Sequence, residues 1–372
     1  MKRIISILLA VVIAISAAVV SFAKSSVITA GTAVTASVKE GDSADYVFTS
    51  PETAVYKLTL KALTKTFSEI MLNCDEDEYS GGYSRTVEYD NYNTENTFTE
   101  YFAAHKGSSY TLSVINNSDI YNKIEKKELG LSSTASIELK ITKTTVPEVK
   151  LGGKYTVSAH SSDGIFTDDV YYFMKPAKSG YYNFRTQDIS DSVIPEIAVF
   201  SDTLNGEYSD GFASADEIAI DFTTYMEAGR LYLIDISAFT LDDEEGKPFD
   251  VKFTLTVNDG NNIPAEEIYA ESPKISMARN DVEFNSCVIY PSGATPFKEE
   301  DITITSSNPK VADVTFYEVS GNYISMDIDS FRFFGKTTIT VDLPNGLSTE
   351  FKVYVKPRII LFIENIFSFL FG

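Results

Sequence analysis

Asp169-Val-Tyr-Tyr-Phe-Met-Lys-Pro-Ala-Lys-Ser-Gly-Tyr-Tyr-Asn-Phe184 reads as an aromatic strand, a proline-marked turn, a glycine and a second alternating strand. That is the pattern of a β-hairpin with one face buried. A weaker copy, Asp45-Tyr-Val-Phe-Thr-Ser-Pro-Glu-Thr-Ala-Val-Tyr-Lys-Leu58, stands one domain earlier, with Ala54 in place of Gly180. Further anchors keep the order: Pro51 and Pro176 lie 125 apart, Glu69-Ile70 and Glu196-Ile197 127 apart, and Gly107 with Tyr110 lie 122 before Gly229 with Tyr232. Small loop insertions and deletions account for the drift, so the chain contains an internal repeat of one domain's length.

At the start of the chain, residues 1–23 carry Lys2 and Arg3, an apolar run over 4–20, and then Ser21-Phe22-Ala23. This is the make-up of a secretory signal peptide, and the expectation is an exported protein, extracellular and associated with the cell surface. Without Lys2 and Arg3 the chain holds 31 − 2 = 29 basic residues against 53 acidic ones. So acidic a surface repels phosphate backbones, which argues against nucleic acid as a partner. Cys74 and Cys287 fall in different predicted domains, where each reads as a half-buried thiol in a strand rather than half of a disulfide. Aromatic residues make up 13% of the chain, and 3.6-residue periodicity is absent before the final stretch, so the body is expected to be all-β.

In the first predicted domain, 24–145, Tyr56, Leu58, Leu60 and Ala62 alternate with Lys57, Thr59 and Lys61, one face for the core and one for water. Further strands are expected at 33–38, 45–49, 69–73, 98–103, 109–116 and 135–142, and the charged stretch 117–133 reads as a solvated loop with a helical turn. The second domain, 146–258, shows strand patterns at 154–159, 169–174, 180–186, 196–200, 217–222, 230–236 and 250–257, with turns such as Asn205-Gly206 between them. Seven short strands at this spacing predict an antiparallel sandwich. The succession of aromatic strand, Pro, Gly-Tyr-x-Phe, apolar strand, acidic turn and Ala-Gly-x-x-Tyr resembles the bacterial pre-peptidase C-terminal domain, in two tandem copies. The resemblance implies two jelly-roll-like sandwiches that accompany secreted enzymes without being catalytic.

Beyond the turn-rich Asn258-Asp-Gly-Asn-Asn-Ile-Pro264, strand patterns return in Val288-Ile-Tyr-Pro291, Gly335-Lys-Thr-Thr-Ile-Thr-Val341 and Ser348-Thr-Glu-Phe-Lys-Val-Tyr-Val355. Between them, Ile302-Thr-Ile-Thr-Ser-Ser-Asn-Pro-Lys-Val-Ala-Asp-Val314 is a strand, an Asn-Pro turn and a second short strand whose Val311 and Val314 would enter a core. Residues 262–356 therefore resemble a bacterial immunoglobulin-like domain of the surface-adhesin type. Ile304-Thr305 stands where that family usually has a tryptophan. The architecture expected is three tandem antiparallel β-sandwiches, two jelly-roll-like and one Ig-like, followed by a short amphipathic helix over 357–372. In that last segment Arg358, Glu364, Asn365 and Ser368 gather on one side of a helical wheel and Ile and Phe fill the rest, which suits either contact with a membrane interface or packing on the chain's own third domain.

Catalytic chemistry finds no support in the residue pattern. His105 and His160 stand among small polar residues without a nucleophile or a metal-binding neighbour at helical spacing, and two His with two Cys share no zinc spacing. No catalytic residues are assigned, and the chain is read as not an enzyme. Asp75 and Asp77 in one copy of the repeat, and Asp202, Asn205, Glu207 and Asp210 in the other, occupy matching acidic stretches after matching strands. Clustered carboxylate and amide oxygens in a flexible turn are what calcium requires, which makes calcium the one candidate cofactor, while the plainer reading of these residues is a solvated acidic turn. Nearby, Tyr79, Tyr83, Tyr89 and Tyr92 are candidates for stacking on a ligand, while Thr86-Val-Glu-Tyr89 reads equally as a strand edge. The expected role is non-catalytic binding or adhesion at the cell envelope, toward an extracellular protein or carbohydrate. The alternative is an accessory substrate-binding component of an extracellular hydrolase system.

Overall fold

The structure is a computed structural model and describes residues 26–74, 85–90, 97–162, 164–189, 193–204, 206–210, 219–240, 247–360 and 362. It is all-β, and its described strands form six sheets, one of five strands and five of four. The chain divides into two compact units, the first covering 1–52, 56–100 and 106–143 and the second 53–55, 101–105 and 144–372.

The first nine strands are β1 (Ser26–Ile28), β2 (Ala33–Lys39), β3 (Ser43–Thr49), β4 (Ala54–Ala62), β5 (Phe67–Cys74), β6 (Arg85–Asp90), β7 (Thr97–Ala104), β8 (Ser109–Asn116) and β9 (Thr134–Lys143). One sheet runs β1-β3-β8-β5-β6 and the other β2-β9-β4-β7. The alternation expected in β4 is realised, with Tyr56, Leu58 and Leu60 at most 1% exposed. Between β8 and β9 the charged stretch forms α1 (Lys123–Leu129). Asn122 Oδ1 accepts from the Ile124 and Glu125 amides, Glu125 Oε2 accepts from the Asn122 amide, and left-handed Gly130 ends the helix.

The second unit contains β10 (Lys154–Ser161), β11 (Val170–Met174), β12 (Gly180–Gln187), β13 (Val193–Ser201), β14 (Gly206–Asp210), β15 (Asp221–Met226), β16 (Tyr232–Thr240) and β17 (Phe249–Asp259). Its sheets β11-β16-β13-β14 and β10-β17-β12-β15 repeat the orders β3-β8-β5-β6 and β2-β9-β4-β7 strand for strand, eight places later. The repeat read from the sequence is therefore a repeat of topology. It reaches single hydrogen bonds: Tyr56 donates its hydroxyl to the Glu52 carbonyl and Tyr182 to the Lys178 carbonyl, each four residues back across the turn. Even the parallel pairing of β1 with β3 has a counterpart in the parallel bridge between Glu148 and Phe173.

Two local expectations differ from what is observed. Of the strand read at 217–222, residues 217 and 218 lie outside the described residues; the described strand starts at Asp221, just after buried Ile220, and runs on to Met226, where Thr223 and Thr224 continue the ladder opposite Asn183 and Tyr182. Of the acidic turn read at 202–207, residues 202–204 do turn, with the Leu204 amide donating to the Ser201 carbonyl, whereas Gly206–Asp210 is strand β14, with Gly206 opposite Phe200 and Asp210 opposite Glu196.

The rest of the second unit comprises β18 (Glu267–Ala270), β19 (Lys274–Met277), β20 (Val282–Tyr290), β21 (Thr303–Ser306), β22 (Ala312–Ser320), β23 (Tyr323–Ser330), β24 (Gly335–Asp342) and β25 (Ser348–Val355). These form sheets β18-β20-β23-β22 and β19-β25-β24-β21 around a core of their own that includes Met277, Cys287, Ile324, Ile339 and Phe351. Most pairings are antiparallel, and β19 runs parallel to β25. The Ser-Ser-Asn-Pro segment ends β21 with side-chain bonds: Ser306 Oγ donates to the Ala312 carbonyl, and Thr337 Oγ1 accepts from the Asn308 amide. Val311, buried, and Val314, half-buried, then enter the core as the motif predicted.

Cys287 is wholly buried in this core, and burial, with the Glu271 carboxylate second, pushes its thiol from 9.0 up to about 12. Between those values the unfolded chain has released the proton and the folded chain still holds it, so stability falls as pH rises, by up to about 1.4 kcal/mol per pH unit. Urea unfolding is expected to show an alkaline loss of roughly that size one unit above the ordinary thiol value, and Cys287→Ala is expected to remove that part of the slope. Equal slopes in both proteins would contradict the assignment.

Candidate functional site

The outer face of sheet β18-β20-β23-β22 is unusually aromatic. Even-numbered Ile324, Met326 and Ile328 of β23 face the core, which leaves Tyr323 and Asp327 on the other side. Register then aligns Tyr269, Val288 and Tyr323 across three strands, and Phe284, Asp327 and Phe316 across three strands. Tyr269, Phe284, Tyr290 and Phe316 remain 44–61% exposed. By strand spacing each aromatic pair spans about 10 Å, and the two rungs lie about 13 Å apart along β20.

A bulge creates half of this platform. In β22, Val314 pairs with Ile328 but Phe316 pairs with Asp327, so Thr315 is an extra residue. Before it, Ala312 and Val314 face inward, and after it Tyr317 and Val319 pack on the core while Phe316 faces out. An inserted residue exchanges the two faces of a strand, which re-aims the phenylalanine into solvent.

Tyr290, at the end of β20, also borders a cleft of about 640 Å³ within the second unit. Its opposite wall comes from β10, β12, β15 and β17 and presents Lys154, Asn183, Arg185, Gln187, Asp221 and Asn258. These groups orient one another. Asn183 Nδ2 donates to Asp221 Oδ1 at 2.6 Å, Asn258 Nδ2 donates to Asn183 Oδ1 at 3.1 Å, and Arg185 Nε lies 4.0 Å from Asp221 Oδ2. The cleft closes where Thr223 Oγ1 donates to the Gly293 carbonyl at 2.6 Å. A Cβ at residue 293 would come within 1.9 Å of Asp221 Oδ1 and 2.6 Å of Asn183 Nδ2, so any larger residue would have to push these two side chains aside. The result is a rigid array of amide, guanidinium and carboxylate groups beside a tyrosine ring. Chemically it can exchange several directed hydrogen bonds with a polar ligand and cover one apolar face of it.

Of the calcium candidates, Asp75, Asp77 and Asn205 lie outside the described residues, and Glu207 and Asp210 stand on β14, whose paired backbone lacks the flexibility of a turn. Asp202 is 1% exposed, with Oδ1 at 3.0 Å from Arg230 Nε and Oδ2 at 3.4 Å from His105 Nδ1. The Arg230 guanidinium is thus an ion-pair partner of this buried carboxylate. Among the described residues no three His, Cys, Asp or Glu side chains are placed to hold a metal ion. Of the tyrosine candidates, Tyr79, Tyr83 and Tyr92 lie outside the described residues, and Tyr89 stands on β6 opposite Ser68. His160 Nδ1 lies 2.8 Å from Asp250 Oδ1 on the neighbouring strand, an exposed cross-strand pair.

The platform and cleft were missed in the sequence, although one signal was present. In Val282-Glu-Phe-Asn-Ser-Cys-Val-Ile-Tyr290 apolar residues occupy both parities, 282, 284, 288 and 290 as well as 287 and 289, so both faces of β20 are apolar.

No family model matches the chain, and no curated protein matches it. Among solved structures, the pre-peptidase C-terminal domain of a collagenase from Bacillus anthracis is similar at 16% identity over 33% of this chain and 98% of that one, with a TM-score of 0.25. Domains 1–6 of the surface layer protein SbsC are similar at 11% identity over 84% of this chain and 53% of that one, with a TM-score of 0.23. CorA, a surface-associated copper-binding protein of Methylomicrobium album BG8, is similar at 7% identity over 32% of this chain and 98% of that one, with a TM-score of 0.24. At TM-scores this low none of them bears on what the chain does.

Proposed function

We propose that this is an exported, non-catalytic binding protein that holds an extracellular glycan in the cleft bordered by Tyr290. The observation that carries the proposal is the pairing of a preorganised Asn258–Asn183–Asp221 network with an exposed tyrosine ring in one cleft. Sugars present hydroxyls in fixed directions and apolar C–H faces, and this wall offers partners for both. An apolar peptide would leave the amides and Asp221 desolvated without partners, at a cost that disfavours it. A glycan ligand suits the accessory role beside an extracellular hydrolase, and a protein ligand would suit adhesion.

The test is a glycan array probed with the exported chain, followed by calorimetry with the best ligand. Tyr290→Ala is expected to weaken binding about tenfold or more, equivalent to about 1.4 kcal/mol, and Asn183→Ala by a similar factor. An array without a reproducible sugar, or binding that ignores both substitutions, overturns the reading.

A further inference from the structure

The third pair of sheets is electrically polarised along its strands. At one end β19 stops at Met277 opposite Val355, β23 stops at Ser330 opposite Ala312, and β24 starts at Gly335 opposite Val355. The segments 278–281, 307–311, 331–334 and 356–360 therefore emerge together. They carry Arg279, Lys310, Arg332, Lys356 and Arg358 against one acid, Asp281. Asp313 and Asp329 pair with each other one rung further in. At the other end, 291–302, 321–322 and 343–347 carry Lys298 against Glu299, Glu300 and Asp301. In a chain of net charge −22, a basic tip is a local exception.

The same tip is aromatic. Phe331, Phe333 and Phe334 are 39–46% exposed, and Ile359 and Phe362, which follow β25, are more than 60% exposed. The Arg279 guanidinium lies 4.1 Å from the Phe334 ring centroid and that of Arg332 lies 5.0 Å from Phe333. Between Asn280, Lys310 and Phe331 a hollow of about 550 Å³ opens. Water-exposed rings interleaved with cations are the composition of a membrane interface contact, where rings enter the acyl boundary and cations meet headgroups.

We infer that this tip docks on an anionic lipid bilayer, with Phe333 and Phe334 inserted and Arg279, Lys310 and Arg332 on the headgroup phosphates. The site is separate from the glycan cleft, so either can fail without the other. It also moves the expected membrane contact from 357–372, most of which lies outside the described residues, to a folded loop cluster that those residues adjoin.

The chain contains no tryptophan, so a single Phe333→Trp substitution supplies a sole reporter in an otherwise intact protein. Its emission is expected to shift to the blue on adding phosphatidylglycerol vesicles, to respond weakly to pure phosphatidylcholine, and to lose the shift at high salt. Phe284→Trp, on the outer sheet face, is expected to stay unchanged. In co-sedimentation with the same vesicles, Arg279→Ser with Arg332→Ser is expected to lower the bound fraction at least fivefold while glycan binding stays intact. Emission of the Phe333→Trp protein that ignores the vesicles overturns the proposal, as does a blue shift that appears without lipid, which would mark a protein interface. Vesicle binding that disappears on deleting 358–372 yet ignores the arginine substitutions also overturns it.

Discussion

Arg230→Met is expected to destabilise the second unit by about 3 kcal/mol, read as an earlier urea midpoint. The Asp202 carboxylate is 1% exposed and faces the Arg230 guanidinium at 3.0 Å, and its other oxygen lies 3.4 Å from both His105 Nδ1 and the Leu231 amide. Removing the guanidinium takes the ion-pair partner at 3.0 Å away from a buried carboxylate. The cost belongs at the low end of the range for broken buried pairs, because Arg230 keeps 34% of its surface in water and also faces Glu227 at 3.3 Å. Asp202→Asn in the same protein is expected to recover most of the loss, since a neutral amide of the same shape carries no desolvated charge. Millimolar calcium is expected to leave the single variant unimproved. A variant restored by calcium would show that the carboxylate takes a metal after all.

Phe351→Ala is expected to cost roughly 3–5 kcal/mol, enough to leave the third pair of sheets close to unfolded at physiological temperature. Phe351 is 1% exposed and sits on β25 opposite Ile339, inside a cluster that shares no residue with the core around Phe184. The lost contacts cannot be replaced by collapse, because β24 and β19 hold β25 from both sides. Phe351→Leu is expected to cost less than half as much. Differential scanning calorimetry should show one transition moving down while the transition carried by the Phe184 core keeps its position. A single transition moving as a whole would mean that the two cores unfold together.

Most of the architecture was legible in the residues because burial in a two-layer sandwich has a period of two, and that period is written locally. Leu58, Leu60 and Ala62 declare their face within one strand, and Pro51 with Pro176 mark the same turn in both copies. The topological repeat follows, since two segments with the same order of strands and turns meet the same packing problem.

The candidate site depends instead on residues far apart in the chain. Asp202 reads as a solvated acid until Arg230 is placed beside it, and the cleft exists because Asn183 meets Asn258 across 75 positions and Gly293 admits close approach. The strand β14 is invisible for the same reason, because its pairing with β13 carries no apolar alternation of its own. At Thr315 one extra residue exchanges the faces of β22, so a strand whose pattern looks irregular is regular on both sides of the bulge. Local alternation along the chain was enough to dictate the layers and their repetition. The partners that neutralise a buried carboxylate, turn Phe316 outward and assemble the cleft were chosen in space, where hydrogen bonds and ion pairs act over a few ångströms irrespective of separation along the chain.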